Sequence, residues 1–149
     1  MQDKIDQDLK EAMLAGDKKK AETLRTLKSA LQMEAISQGA QGEGLSDEQA
    51  TKVLQRESKK RQEAAELYNR GGSEERADAE MDEKSIIDAY LPEQMSEEEL
   101  AKIIDEQIAA SGAAGPQDMG KVIGAVKAKV GAAADGAAIA RLTKDKLSQ

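Results

Sequence analysis

Lys52, Arg56, Lys59 and Lys60 fall at i, i+4, i+7 and i+8, which puts four cations on one face of a helix. Such a stripe can track the phosphates of a nucleic acid. The commoner reading of such a stripe is a solvated face neutralised by acidic neighbours. A second set, Lys121, Lys127, Lys129, Arg141 and Lys144, lies near the C-terminus, with almost no aromatic residues among it. That composition suits phosphate-backbone contact rather than base stacking. Pro116, preceded by Gly112-Ala113-Ala114-Gly115, can open a helix whose first amides are free to receive an anion. Glu57 and Arg61 lie by helical angle within the stripe of Val53, Ala64 and Tyr68. Their i, i+4 pair is expected to be partly buried and to fix packing register.

The residue types that usually carry catalysis are missing. The chain has no histidine and no cysteine, so it lacks the commonest general base, a thiolate nucleophile, a disulfide framework and a Cys-type zinc site. There is no Gly-x-Ser-x-Gly elbow, P-loop or dinucleotide fingerprint. Ser58 and Lys59 are neighbours in sequence, but residues one apart on a helix do not face each other. The carboxylates sit in solvated runs. No catalytic residue, cofactor or metal is expected.

A net charge of −7 over 149 residues gives the whole molecule no attraction for nucleic acid or acidic membranes. Residues 1–92 hold 15 Lys/Arg against 20 Asp/Glu, and residues 93–149 hold 7 against 9. Within the second part, residues 112–149 carry six cations against Asp118, Asp135 and Asp145. A polyanion would have to meet that local excess. No long apolar run and no basic-plus-apolar leader is present, so a cytoplasmic protein without membrane contact is expected.

The elements that must position these residues read as helices. With no Phe or Trp and only Tyr68 and Tyr90, the core must be Leu, Ile, Val, Met and Ala, which suits closely packed helices. Ile5, Leu9, Ala12 and Met13 line the first helix, ended by Gly16. Leu24, Leu27, Leu31 and Ala35 line the second, with Met33 and Ile36 widening its apolar face. Gly39 to Gly44 reads as a loop. Ser46 and Gln49 spell a capping box that opens a long third helix to about Arg70. A fourth, after Gly71-Gly72, runs to Leu91 with Ala79, Ile86 and Tyr90 inward, and its acidic early turns predict shallow packing. Pro92 stops that helix and Ser96 with Glu99 opens the next, which marks a domain boundary. Three short helices follow. Their inward residues are Leu100, Ile103, Ile104 and Ile108; then Met119, Val122, Ile123, Val126 and Val130; then Ile139, Leu142 and Leu147 after the Asp135 cap. The expected fold is all-α, with a four-helix part over 1–92 and a three-helix bundle over 93–149.

Several of these residues also form a recognisable set. Tyr90-Leu91-Pro92-Glu93-Gln94-Met95-Ser96-Glu97-Glu98-Glu99-Leu100, then Asp118-Met119-Gly120-Lys121-Val122 and Ala134-Asp135-Gly136, resemble the YqeY family, as do Arg56-Glu57, Lys60-Arg61 and Asp8 to Met13. The resemblance implies an all-α protein whose second domain is similar to the tail of the B subunit of the aspartyl/glutamyl-tRNA amidotransferase. It implies association with tRNA or with proteins of the aminoacylation and amidotransferase machinery. It also implies a label of carbon-nitrogen ligase with glutamine as amido-N-donor. The family usually places a basic residue before Ala-Asp-Gly, whereas this chain reads Gly131-Ala132-Ala133-Ala134-Asp135-Gly136, which predicts a weaker or different phosphate contact there.

Three readings follow. The first is a non-catalytic tRNA-associated module that meets the RNA backbone through its C-terminal cations. The second is a helical protein–protein adaptor, and the third an amidotransferase-like enzyme. Glutamine hydrolysis needs an activated Cys or a Ser with a positioned base, so the third ranks last.

Overall fold

Ser46 and Ser96 each open a helix with both bonds of a capping box. The Gln49 amide donates to Ser46 Oγ at 3.2 Å and the Ser46 amide to Gln49 Oε1 at 2.9 Å. The Glu99 amide donates to Ser96 Oγ at 3.2 Å and the Ser96 amide to Glu99 Oε2 at 3.0 Å. Two orphan amides are satisfied at each start by residues three apart, so these boundaries are local in origin. The structure, a computed structural model, describes residues 1–40 and 42–148. Within the expected Gly39–Gly44 loop, Gln41 lies outside the described residues. Seven α-helices and two single 3₁₀ turns, and no strand, occur among the described residues.

The chain divides into two compact units, Met1–Leu91 and Pro92–Gln149. The first holds α1 (Gln2–Ala15), α2 (Lys18–Ser37), α3 (Asp47–Arg70) and α4 (Glu74–Asp88). Gly16 closes α1 at φ 73°, a left-handed position that glycine enters without strain. Ile5, Leu24, Leu27, Val53, Leu54 and Ile87 are buried together as its core. The apolar stripe of α2 is narrower than its sequence suggests: Met33 and Ile36 are exposed, and so is Met13 on α1. Helical period marks a face but not its width, and no described element covers that side of α2.

The fourth helix also differs from expectation. It ends at Asp88, and Ala79 is exposed while Ala77 and Ile87 are buried. In its early turns Ala77 alone is buried, yet over their whole length α3 and α4 form the most extensive helix pair in the unit. The reason lies in what meets its acids. Asp82 pairs with Lys19 of α2, and Glu83 lies 3.4 Å from the Arg61 Nε of α3. The acids at the edge of the contact are neutralised, and the small Ala77 side chain lets the backbones approach.

The second unit holds α5 (Glu97–Ser111), α6 (Met119–Val130) and α7 (Gly136–Leu147). A 3₁₀ turn, Pro116–Asp118, leads into α6, and another, Gly131–Ala133, follows it. Leu100, Ile104, Val122, Val126, Ile139 and Leu147 form its own core. The entering strand of chain is tied down by the Met95 amide donating to the Ala133 carbonyl at 2.9 Å, and by Gln94 Nε2 donating to the Ala132 carbonyl at 3.0 Å.

Candidate nucleic-acid interface

The four cations of α3 share one face, and three of them are already paired. Lys52 Nζ lies 3.2 Å from Glu48, Arg56 donates to Glu34 of α2 at 2.9 Å, and Lys60 lies 3.0 Å from Glu57. The Arg56 hydrogen bond, helped by Gln38, holds the Glu34 carboxyl below its ordinary range, although burial opposes it. Lys59 alone has no ion-pair partner among the described residues.

Beside the stripe, Glu57 is buried and pairs with both Arg61 and Lys60. Burial pushes its carboxyl up, but the hydrogen bonds and charges of Lys60 and Arg61 outweigh that and hold it low. Arg61 reaches on to Glu83, so the cluster ties α3 to α4. Ser58 Oγ donates to Asp88 at 2.5 Å across the same interface. No open position remains in this cluster for a ligand, and it acts as packing.

The C-terminal cations divide differently. Lys129 lies 3.1 Å from Glu106, and Arg141 pairs with Glu97. Lys121, Lys127 and Lys144 are exposed and have no ion-pair partner among the described residues. The candidate anion position before α6 is taken internally, because Asp118 accepts from the Ala114 amide at 3.1 Å. At the start of α7, Asp135 accepts from the Ala137 amide at 3.3 Å. Lys127 reaches over this turn: its Cε and Nζ lie 3.7 and 3.8 Å from where a Cβ on Gly136 would stand.

Between the free lysines of α6 lies a strip that sequence reading passed over. At about 100° per residue, Lys127, Gly120, Gly124, Ala128 and Lys121 follow one another across roughly 120° of arc. All five are exposed. A Cβ on Gly120 or Gly124 would meet nothing within 4 Å, so neither glycine is required by packing inside the protein. Two glycines four apart inside a helix, at neither turn nor cap, were the available signal.

The family model described as Yqey-like protein matches residues 2–147, nearly the whole chain. The chain belongs to the YqeY-like family. The match spans both units, and with them the α3 stripe and the strip on α6. No curated protein matches the chain. Among the described residues of this YqeY-like protein, no group of three His, Cys, Asp or Glu side chains could hold a metal ion. No helix among them is long and apolar enough to cross a membrane.

Proposed function

We propose that the second unit is a tail domain that binds the phosphate backbone of tRNA through α6 and α7, and that it performs no chemistry itself. The observation that carries this reading is the exposed Gly120-Gly124-Ala128 strip bracketed by the unpaired Lys121 and Lys127. A surface without side chains lets a sugar–phosphate backbone come close, and the two ammonium groups supply charge at its edges. Membership of the YqeY-like family and the resemblance of the second unit to an amidotransferase tail support tRNA as the polyanion. The amide transfer in the family's label belongs on this reading to other proteins, since this chain has no Cys or His to activate glutamine.

Titration of unfractionated tRNA at several salt concentrations tests the reading. The expected log–log salt slope is roughly −0.7 to −0.9 per phosphate neutralised. Lys121→Ala, Lys127→Ala and Lys144→Ala together should make the slope shallower by about two. Lys52→Ala, Lys59→Ala and Lys60→Ala together should change it by less than about one, because two of those cations are already paired. Equal losses in the two triples, or no binding by the wild type at low salt, would overturn it.

A protein-binding role for the first unit is the second reading. It is favoured by exposed apolar side chains on α1 and α2, of which Leu14 at 89% and Met33 at 70% are the most open. A protein captured by the wild type and lost with Leu14→Ser or Met33→Ser would support it.

A further inference from the structure

Among the described residues, every paired cation of the second unit is held by α5. Glu97 takes Arg141, Asp105 lies 2.7 Å from Lys146, and Glu106 lies 3.1 Å from Lys129. Asp105 and Glu106 are neighbours in sequence yet reach different helices, because adjacent residues stand about 100° apart around α5. One serves α7 and the other α6. Helix α6 carries no acidic residue, and Asp145, the one acid of α7, has no ion-pair partner among the described residues. The three carboxylate side chains are more than half exposed, at 65%, 63% and 62%. Lys129 and Arg141 are half exposed as well, and Lys146 is a quarter exposed; pairs open to solvent are weak, so an external anion can exchange most readily with the first two.

We infer that α5 is a built-in competitor that occupies Lys129, Arg141 and Lys146 and limits how many phosphates the unit can neutralise. The inference rests on the proposed backbone binding by α6 and α7. In the free protein three cations of α6 and α7 have no ion-pair partner among the described residues, and three more become available only when a phosphate displaces a carboxylate of α5. The unit is thereby tuned towards weak, salt-sensitive binding.

The test compares two variants of equal charge by tRNA titration over a salt series, with circular dichroism confirming that each is folded. Glu97→Gln, Asp105→Asn and Glu106→Gln remove the competing carboxylates. Glu93→Gln, Glu98→Gln and Asp145→Asn remove three exposed carboxylates that hold no cation among the described residues. The first triple should bind tighter by roughly two- to fivefold per pair and steepen the salt slope by about two. The second should gain less and keep the wild-type slope. If both triples gain alike with an unchanged slope, the α5 pairs are bystanders and the inference falls while backbone binding stands. If neither the wild type nor the first triple binds, backbone binding itself falls. Should the first triple unfold, Glu106→Gln alone must steepen the slope by about 0.8, and no change overturns the inference.

Discussion

The stripe on α3 and the cations of α6 and α7 are built from the same side chains, and their surroundings make them different objects. On α3, Lys52 and Lys60 turn to carboxylates of their own helix and Arg56 turns to α2. The stripe is part of how the first unit is held together. On α6 and α7 three lysines keep their charge free, and the carboxylates that meet the other cations come from a separate helix, α5. Spacing alone sorts cations onto faces. Whether a face is spent internally or offered outward depends on which acids the fold brings to it.

The largest effect should come from breaking the α3 cluster. Glu57→Ala leaves Arg61 and Lys60 without their shared partner, and Arg61 is 11% exposed. The expected loss is about 2 kcal/mol of stability in urea unfolding, less than for a fully enclosed pair because Arg61 keeps Glu83. tRNA affinity should stay at the wild-type level. A gain in affinity would show that the stripe was a masked binding face, and the contrast would collapse. Acid offers a second readout. The folded-state pKa of Glu57 lies below its ordinary value of 4.5, so its contribution is present above that value and lost as pH falls through the folded one. Wild-type stability should therefore drop more steeply below about pH 4.5 than that of Glu57→Ala.

The two units differ in their interiors as well. In the first, the buried polar side chains all have partners: Thr23 donates to the Lys19 carbonyl at 3.0 Å, Ser58 to Asp88, and Glu57 is paired. In the second, Thr143 is fully buried and its hydroxyl has no partner among the described residues. Thr143→Val keeps the shape and removes the stranded group, so the unit should gain about 1 kcal/mol in thermal unfolding. A loss instead would mean that the hydroxyl is bonded in solution.

What could be read from the sequence follows the range of the interactions. The capping boxes at Ser46 and Ser96 and the Gly16 stop are decided within a few residues, and their spelling foretold them. The pairings that cross from one helix to another are not local. Arg56 and Glu34 are 22 residues apart, Lys129 and Glu106 are 23, and Arg141 and Glu97 are 44. A helical wheel shows that these side chains are outward but not what stands opposite. The partner of Asp82 on α4 was out of reach for the same reason, since Lys19 meets it from 63 residues away. The strip on α6 was missed for another. Glycine carries no chemistry of its own, and its meaning at Gly120 and Gly124 emerged only when the space around each proved empty.

That empty space permits the smallest and most discriminating change. Gly120→Ala and Gly124→Ala add a methyl group into the open, at helical positions where alanine is favoured by roughly 0.5–1 kcal/mol over glycine. Each should raise the stability of the second unit by about that amount. If the strip is a contact surface, the same methyl groups hold the RNA backbone away from Lys121 and Lys127, and tRNA affinity should fall while stability rises. Opposite movements in one variant cannot come from damage to the fold. If stability rises and affinity is unchanged, the glycines are a tolerated cost on a solvent face. The free lysines would then act only at longer range, as the exposed Lys59 on α3 would, and the two cation sets would be more alike than their pairings suggest.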